Sequence, residues 1–228
     1  MVTKAHHALL LAYLVRRWRA AFPGEGARIE EAVAHYGRQR GARMARRAQA
    51  DGEALDMPAY FAYSEWTPIP GESHGEMDGC NGAQVDRVMG CPWCAVWARE
   101  GMLEEGAHYC RQVDRAILEG FNPRLRLQVT QLASLGADCC EFLWLDMPAT
   151  AKAQARVDAL RQRVGASAAR DWDYHCAHLL DAFARDLRRL HGPAGDACAQ
   201  GALADLRQRC GDAVVDTIVH SWQTENFV

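Results

Sequence analysis

The chain has 228 residues, of which 49% are hydrophobic and 24% are charged, and its formal net charge at pH 7 is −3. This length fits one domain with added helices or two small domains, and the composition is that of an ordinary globular protein. So small a net charge argues against nucleic acid as a partner, although arginines cluster at 38–47. No uncharged apolar run reaches about 18 residues, so we expect no membrane span.

The chain contains nine cysteines, and its start is not typical of a secretion signal. We therefore expect a cytoplasmic, reducing location, in which the cysteines serve as thiols, metal ligands or nucleophiles. A small-molecule substrate is the expected partner, and a homo-oligomer is left open.

Apolar residues at helical spacing predict helices at 6–22 and 27–50. In the second helix Gly37 and Gly41 lie four residues apart, which is typical of close approach by another backbone or by a ligand; we favour helix packing. An aromatic-rich segment follows at 55–66. The prolines and glycines of 67–82 predict a loop that could cover a pocket, and 83–89 reads as a strand.

The turn at 90–92 leads into predicted helices at 93–100 and 103–121. Alternating residues at 125–129 and 140–145 predict an antiparallel hairpin, and helices follow at 149–164, 168–190, 203–209 and 213–222. The prediction is an α+β fold in which N-terminal helices and a small antiparallel sheet with a cysteine-bearing hairpin pack together. We place an α+β core domain with the cysteine cluster at 1–148 and a helical C-terminal section, packed on that core, at 149–228.

Five cysteines lie between residues 85 and 144. A helix start favours the thiolate of Cys91, Cys110 shares a helix face with Asp114, and Cys140 lies on the hairpin. If helix and hairpin pack together, these three sulfurs could hold zinc or another divalent metal ion with a fourth ligand. For any one cysteine, packing as a small hydrophobe is the more common role. A redox pair of Cys91 and Cys94 is a further alternative.

The remaining candidates are polar or aromatic residues outside the cysteine set. His178 lies in an apolar helical run, where a buried structural histidine is more common than a proton shuttle or ligand. Arg38 or Arg40 could receive a substrate carboxylate, Asn122 could donate to a developing charge, and Trp66 is the aromatic candidate for substrate binding. No phosphate loop, dinucleotide fingerprint or serine elbow is present, which argues against those enzyme classes.

Four motifs carry a resemblance to a known family: YGRQRG at 36–41, CPW at 91–93, YCRQVDRAILEGFNP at 109–123 and GADCCEF at 136–142. They resemble the L-2-amino-thiazoline-4-carboxylic acid hydrolase family. The resemblance implies a hydrolase that opens a thiazoline ring with water, giving an N-carbamoyl-cysteine. It implies Asp114 as the base and Cys110, Cys140 and Cys91 as the cysteines that matter. Cys94 and Cys139 are additional to the pattern.

A weaker resemblance provides the alternative. The helix, hairpin and cysteines are also similar to vinyl-4-reductase-type ligand-binding domains, in which cysteines hold a structural zinc. That resemblance implies a non-catalytic module that binds a small molecule.

Overall fold

The structure is a computed structural model that describes residues 1–66, 75–80 and 82–227. Within these ranges the chain forms nine α-helices and four β-strands. The helices are α1 (Lys4–Ala21), α2 (Gly26–Ala50), α3 (Met57–Ala62), α4 (Pro92–Glu100), α5 (Leu103–Phe121), α6 (Ala151–Val164), α7 (Trp172–His191), α8 (Pro193–Cys210) and α9 (Asp212–Thr224). The strands are β1 (Gly75–Cys80), β2 (Ala83–Val88), β3 (Leu127–Gln131) and β4 (Cys140–Pro148).

The chain divides into two compact units. The first comprises 1–36, 92–113 and 171–228, and the second comprises 37–91 and 114–170. This grouping places α6 with the sheet and α7–α9 with α1, whereas the sequence analysis drew one boundary at residue 148. That boundary stays a prediction.

The first unit is a helical bundle in which α1 is surrounded by other helices. Residues 7–15 and Trp18 of α1 are all buried, as expected of a helix that is packed on every side. The indole N–H of Trp97 on α4 donates to the carbonyl of Ala8 at 2.9 Å. Helices α7 and α8 approach so closely that a Cβ on Gly195 would lie 2.1 Å from the carbonyl oxygen of Leu187.

The second unit contains a four-stranded antiparallel sheet with strand order β1-β2-β4-β3. Helix α3 packs on α6 and on β4. The residue before it, Asp56, caps the helix, because its side chain accepts from the backbone N–H of Ala59 at 3.1 Å. Aromatic rings of α3, α5 and β4 fill the space between helix and sheet.

Glycines let α2 and α5 touch backbone to backbone in the second unit. A Cβ added to Gly41 would lie 2.0 Å from the carbonyl oxygen of Ile117, and one added to Gly120 would lie 2.1 Å from that of Arg38. No side chain fits at either position. The preference for helix packing over a ligand contact is therefore confirmed at Gly41.

The α+β prediction and the β3–β4 hairpin are confirmed. The loop predicted at 67–82 is wrong at residues 75–80, which form β1; residues 67–74 and 81 lie outside the described residues. An edge strand pairs through backbone groups, so weak apolar patterning does not prevent it. The helix predicted at 203–209 starts too late, because α8 begins at Pro193, which occupies a first-turn position.

In the described part of the chain, no helix is long and apolar enough to cross a membrane.

Candidate active site

Three arginines of α2 converge on the carboxylate of Glu65. Positions 40, 43 and 47 share one helix face, because spacings of three and four match the helix period. Arg43 donates from Nε to Oε1 and from Nη2 to Oε2, both at 3.0 Å. Arg47 donates from Nη2 to Oε1 at 2.7 Å, and Arg40 donates from Nε to Oε2 at 3.3 Å. We call these four residues the arginine clamp.

Three residues of the clamp are buried, and Arg47 is partly exposed. Glu65 has no exposed surface, and Arg40 and Arg43 are 1% and 7% exposed. Three guanidinium groups surround one carboxylate, so the clamp carries more positive than negative charge. Such a group of buried charges persists only where it is paired and hydrogen-bonded.

Arg40 is also held on its flat face. Its guanidinium carbon lies 3.7 Å from the ring centroid of Trp66, a cation–π stack of the kind that arginine forms well. Glu65 fixes the Nε edge and Trp66 fixes the plane, so the guanidinium of Arg40 has a defined orientation.

Asp114 on α5 is the acid whose charge Arg40 influences. Burial raises the pKa of Asp114 from 3.8 to about 6, against the opposing effects of the Arg40 guanidinium and of a hydrogen bond from its own backbone. A carboxyl group with a pKa near 6 can both take and release a proton near neutral pH. Strongly shifted acids of this type concentrate at functional sites.

Tyr60 on α3 belongs to the same neighbourhood. Burial raises the pKa of its hydroxyl, the Asp114 carboxylate raises it further, and Arg40 opposes both. Its ring packs at 5.6 Å from the ring of Phe121 and 5.7 Å from that of Trp144. Tyr60 is therefore a neutral hydroxyl at physiological pH, able to donate a hydrogen bond.

A family model described as L-2-amino-thiazoline-4-carboxylic acid hydrolase matches residues 3–144, well over half of the chain. The chain belongs to this hydrolase family. Neither the curated proteins nor the solved structures contain a match to the chain. The family match includes the whole arginine clamp, Tyr60 and Asp114.

The residues nominated from the sequence and the family motifs have different surroundings. Arg40, Trp66 and Asp114 lie in the second unit, with Arg40 stacked on Trp66 and acting on the charge of Asp114. Asn122 donates its side-chain N–H to the carbonyl of Leu55 at 2.7 Å and accepts from the backbone of residue 124 at 3.0 Å. Arg38 forms an exposed ion pair with residue 119 at 3.3 Å.

Within the described residues the motif cysteines form no disulfide. Cys140 is buried, and its sulfur accepts the backbone N–H of Ala133 at 3.4 Å. Cys91 and Cys110 are partly exposed, with Cys91 in the second unit and Cys110 on the part of α5 that belongs to the first. Among the described residues, no three His, Cys, Asp or Glu side chains are arranged to hold a metal ion. The cysteine roles and the zinc site stay predictions.

His178 lies in the first unit, fully buried, in a cluster of aromatic and histidine rings. Its ring is 4.6 Å from that of Tyr36 and stacks on Phe227 at 5.4 Å. In the same cluster Trp93 donates its indole N–H to Nδ1 of His7 at 3.1 Å, and Nε2 of His7 lies 3.1 Å from the Tyr36 hydroxyl. Because Nδ1 accepts, the proton of a neutral His7 is on Nε2, which donates to Tyr36.

Sequence reasoning did not nominate Glu65, His7 or Tyr60. The spacing of Arg40, Arg43 and Arg47 on one helix face was a usable signal, because a buried basic face needs an acidic partner. Nothing in the sequence identified Glu65 as that partner. For His7, a histidine within the apolar run that opens α1 was the only signal.

Proposed function

We propose that the protein is a hydrolase that opens a small cyclic amidine, thiazoline or amide ring by adding water. The substrate we infer resembles 2-aminothiazoline-4-carboxylate. One observation carries the proposal: the family match includes an acid, Asp114, whose pKa of about 6 suits proton transfer and whose charge is influenced by a buried arginine.

Ring opening needs a base, then an acid, at the same place. In the proposed reaction the ionised carboxylate of Asp114 takes a proton from water as the water oxygen bonds to the ring carbon between nitrogen and sulfur, and the π electrons of the C=N bond move onto the ring nitrogen. The pair on nitrogen then re-forms the C=N bond as the C–S bond breaks, and the electron pair of that bond leaves on the sulfur. Protonated Asp114 returns its proton to that thiolate, and the proton of the new hydroxyl moves to the ring nitrogen, giving the N-carbamoyl thiol. Atoms and charge balance, with water as the only co-reactant.

The surrounding residues supply the other requirements. The positive charge of Arg40 favours an anionic substrate such as a carboxylate. The neutral hydroxyl of Tyr60 is a donor for negative charge that develops on a ring atom. The ring of Trp66 offers a flat surface for a small heterocycle.

The test is turnover of 2-aminothiazoline-4-carboxylate by the purified chain, read as thiol release. We expect Asp114→Asn to lower kcat/KM by at least about 100-fold, the usual loss when a general base is removed. Glu119→Gln, an exposed acid on the same helix, is the matched control and keeps the wild-type rate. Wild-type turnover by Asp114→Asn would refute the mechanism, and absence of ring opening by the wild type would refute the substrate class.

The cysteines are tested in the same assay. Under direct water attack, Cys110→Ala and Cys140→Ala retain turnover. Loss of turnover in one folded variant, together with a covalent adduct on that cysteine in the wild type, would assign the attack to sulfur. Metal analysis of the same preparation tests the zinc prediction.

A further inference from the structure

We propose that Glu65 is a positioning residue that holds Arg40 flat against Trp66, so that the guanidinium charge stays beside the carboxylate of Asp114. This role deepens the proposed hydrolase function and rests on it for its catalytic meaning. No motif or family name assigns it.

The first support is the way Glu65 itself is held. Its two oxygens accept from Arg43 at 3.0 Å each and from Arg47 at 2.7 Å, with no exposed surface. Arg47 is tied in turn to the carbonyl of Ala168 at 3.0 Å, and the backbone carbonyl of Glu65 accepts from the N–H of Arg170 at 2.7 Å. The carboxylate is therefore a fixed anchor.

The second support is the geometry at Arg40. An arginine side chain has several rotatable bonds, and fixing it costs rotamer entropy that its contacts must offset. Here Glu65 accepts from the Nε edge at 3.3 Å, and Trp66 covers the face at 3.7 Å. Glu65, which anchors the Nε edge, and Trp66, which stacks on the guanidinium, are consecutive residues. The position of the backbone just after α3 therefore sets both contacts.

The third support is what faces Asp114 in this unit. Among the residues that the structure describes, Arg40 on α2 and Tyr60 on α3 are the ionisable groups whose charge is coupled to that of Asp114, and Tyr60 is neutral near pH 7. Arg40 is therefore the charged partner, within that part of the chain, that opposes the effect of burial on the protonation of Asp114. A displacement of that guanidinium weakens a stabilising charge and shifts the titration of the acid.

The test follows the titration of Asp114 by carboxyl ¹³C NMR, with Asp114→Asn used to assign the signal. Glu65→Asp keeps the charge and shortens the side chain by one carbon, so it isolates position from charge. We expect the Asp114 midpoint to rise by about 1 pH unit, the lower end of the effect of a nearby opposite charge. Trp66→Leu removes the stacking face without changing charge, and the same upward shift is expected.

A third variant, Glu65→Gln, separates the effect of charge from the effect of position. Loss of the negative charge by itself lowers the Asp114 midpoint. Release of Arg40, which the proposal predicts, raises it. Arg47→Lys is the control for general loosening, because it keeps the charge and Arg43 still holds Glu65 at both oxygens. It is expected to lower Tm and leave the midpoint unmoved.

Unchanged midpoints in folded Glu65→Asp and Trp66→Leu would overturn the proposal, as would a shift in Arg47→Lys as large as that in Glu65→Asp. If Glu65→Asp does not fold, Trp66→Leu alone decides. These measurements use no substrate. Wild-type turnover by Asp114→Asn would therefore remove the hydrolytic mechanism and leave the positioning result standing.

Discussion

Replacing Asp114 with asparagine should stabilise the protein while removing activity. Burial raises the pKa of Asp114 from 3.8 to about 6, so the folded state resists ionising this group. At about 1.4 kcal/mol per pH unit, that difference costs the folded state about 3 kcal/mol once the group is ionised in both states. Asparagine has nearly the same shape and carries no charge, so it avoids this cost.

The direction in which stability changes with pH follows from which state of the protein holds the Asp114 proton. Between pH 3.8 and about 6 the folded state holds the Asp114 proton and the unfolded state has lost it. The wild type therefore loses stability as pH rises through this range, and the penalty is complete above pH 6. We expect the stability difference between Asp114→Asn and the wild type to grow from near zero below pH 4 to about 3 kcal/mol at pH 8.

Urea unfolding of both proteins from pH 4 to pH 8 measures this difference. Glu119→Gln on the same helix is the control. The difference between its free energy of unfolding and that of the wild type should not grow between pH 4 and pH 8 as it does for Asp114→Asn. A difference for Asp114→Asn that does not change with pH, or a variant less stable than the wild type at pH 8, would show that burial does not hold the proton on Asp114.

Three further outcomes are expected. The logarithm of kcat/KM should rise with pH and level off above about 6, since the carboxylate form of Asp114 is the base; a flat profile contradicts this role. Gly41→Ala should cost about 3 kcal/mol in urea unfolding, because its Cβ meets backbone at 2.0 Å, whereas Gly26→Ala on the same helix, with its nearest atom at 3.6 Å, should cost nothing. Alkylation at pH 8 should spare Cys176, whose burial blocks access and raises its pKa, and should label the partly exposed Cys110.

The helices and the hairpin were largely predictable because their signals are local. The bounds predicted for α5, 103–121, are those observed, since an amphipathic pattern and a proline stop both mark them. The edge strand β1 was not predictable, because its pairing with β2 depends on backbone groups that composition does not report. The start of α8 was missed because Gly192 and Pro193 read as the end of the preceding helix, whereas Pro193 occupies a first-turn position of α8.

The candidate site was predictable only in its residue types. Asp114, Arg40 and Trp66 were nominated as a base, a cation and an aromatic surface. Arg40 is buried, whereas Asp114 and Trp66 are half-buried. These surroundings, and with them the pKa of Asp114, arise from tertiary packing that no local pattern encodes. Glu65 was missed for the same reason: its three arginine partners lie 18 to 25 residues away along the chain.

The close crossing of α2 and α5 prevents the two helices from sliding along each other. Gly41 follows Arg40 directly, and its contact at Ile117 lies less than one turn beyond Asp114. A residue advances a helix by about 1.5 Å, so even a one-residue slide of either helix would drive a side chain into backbone. Gly41 and Gly120 therefore fix the axial position of α2 against α5, and with it the placement of Arg40 relative to Asp114.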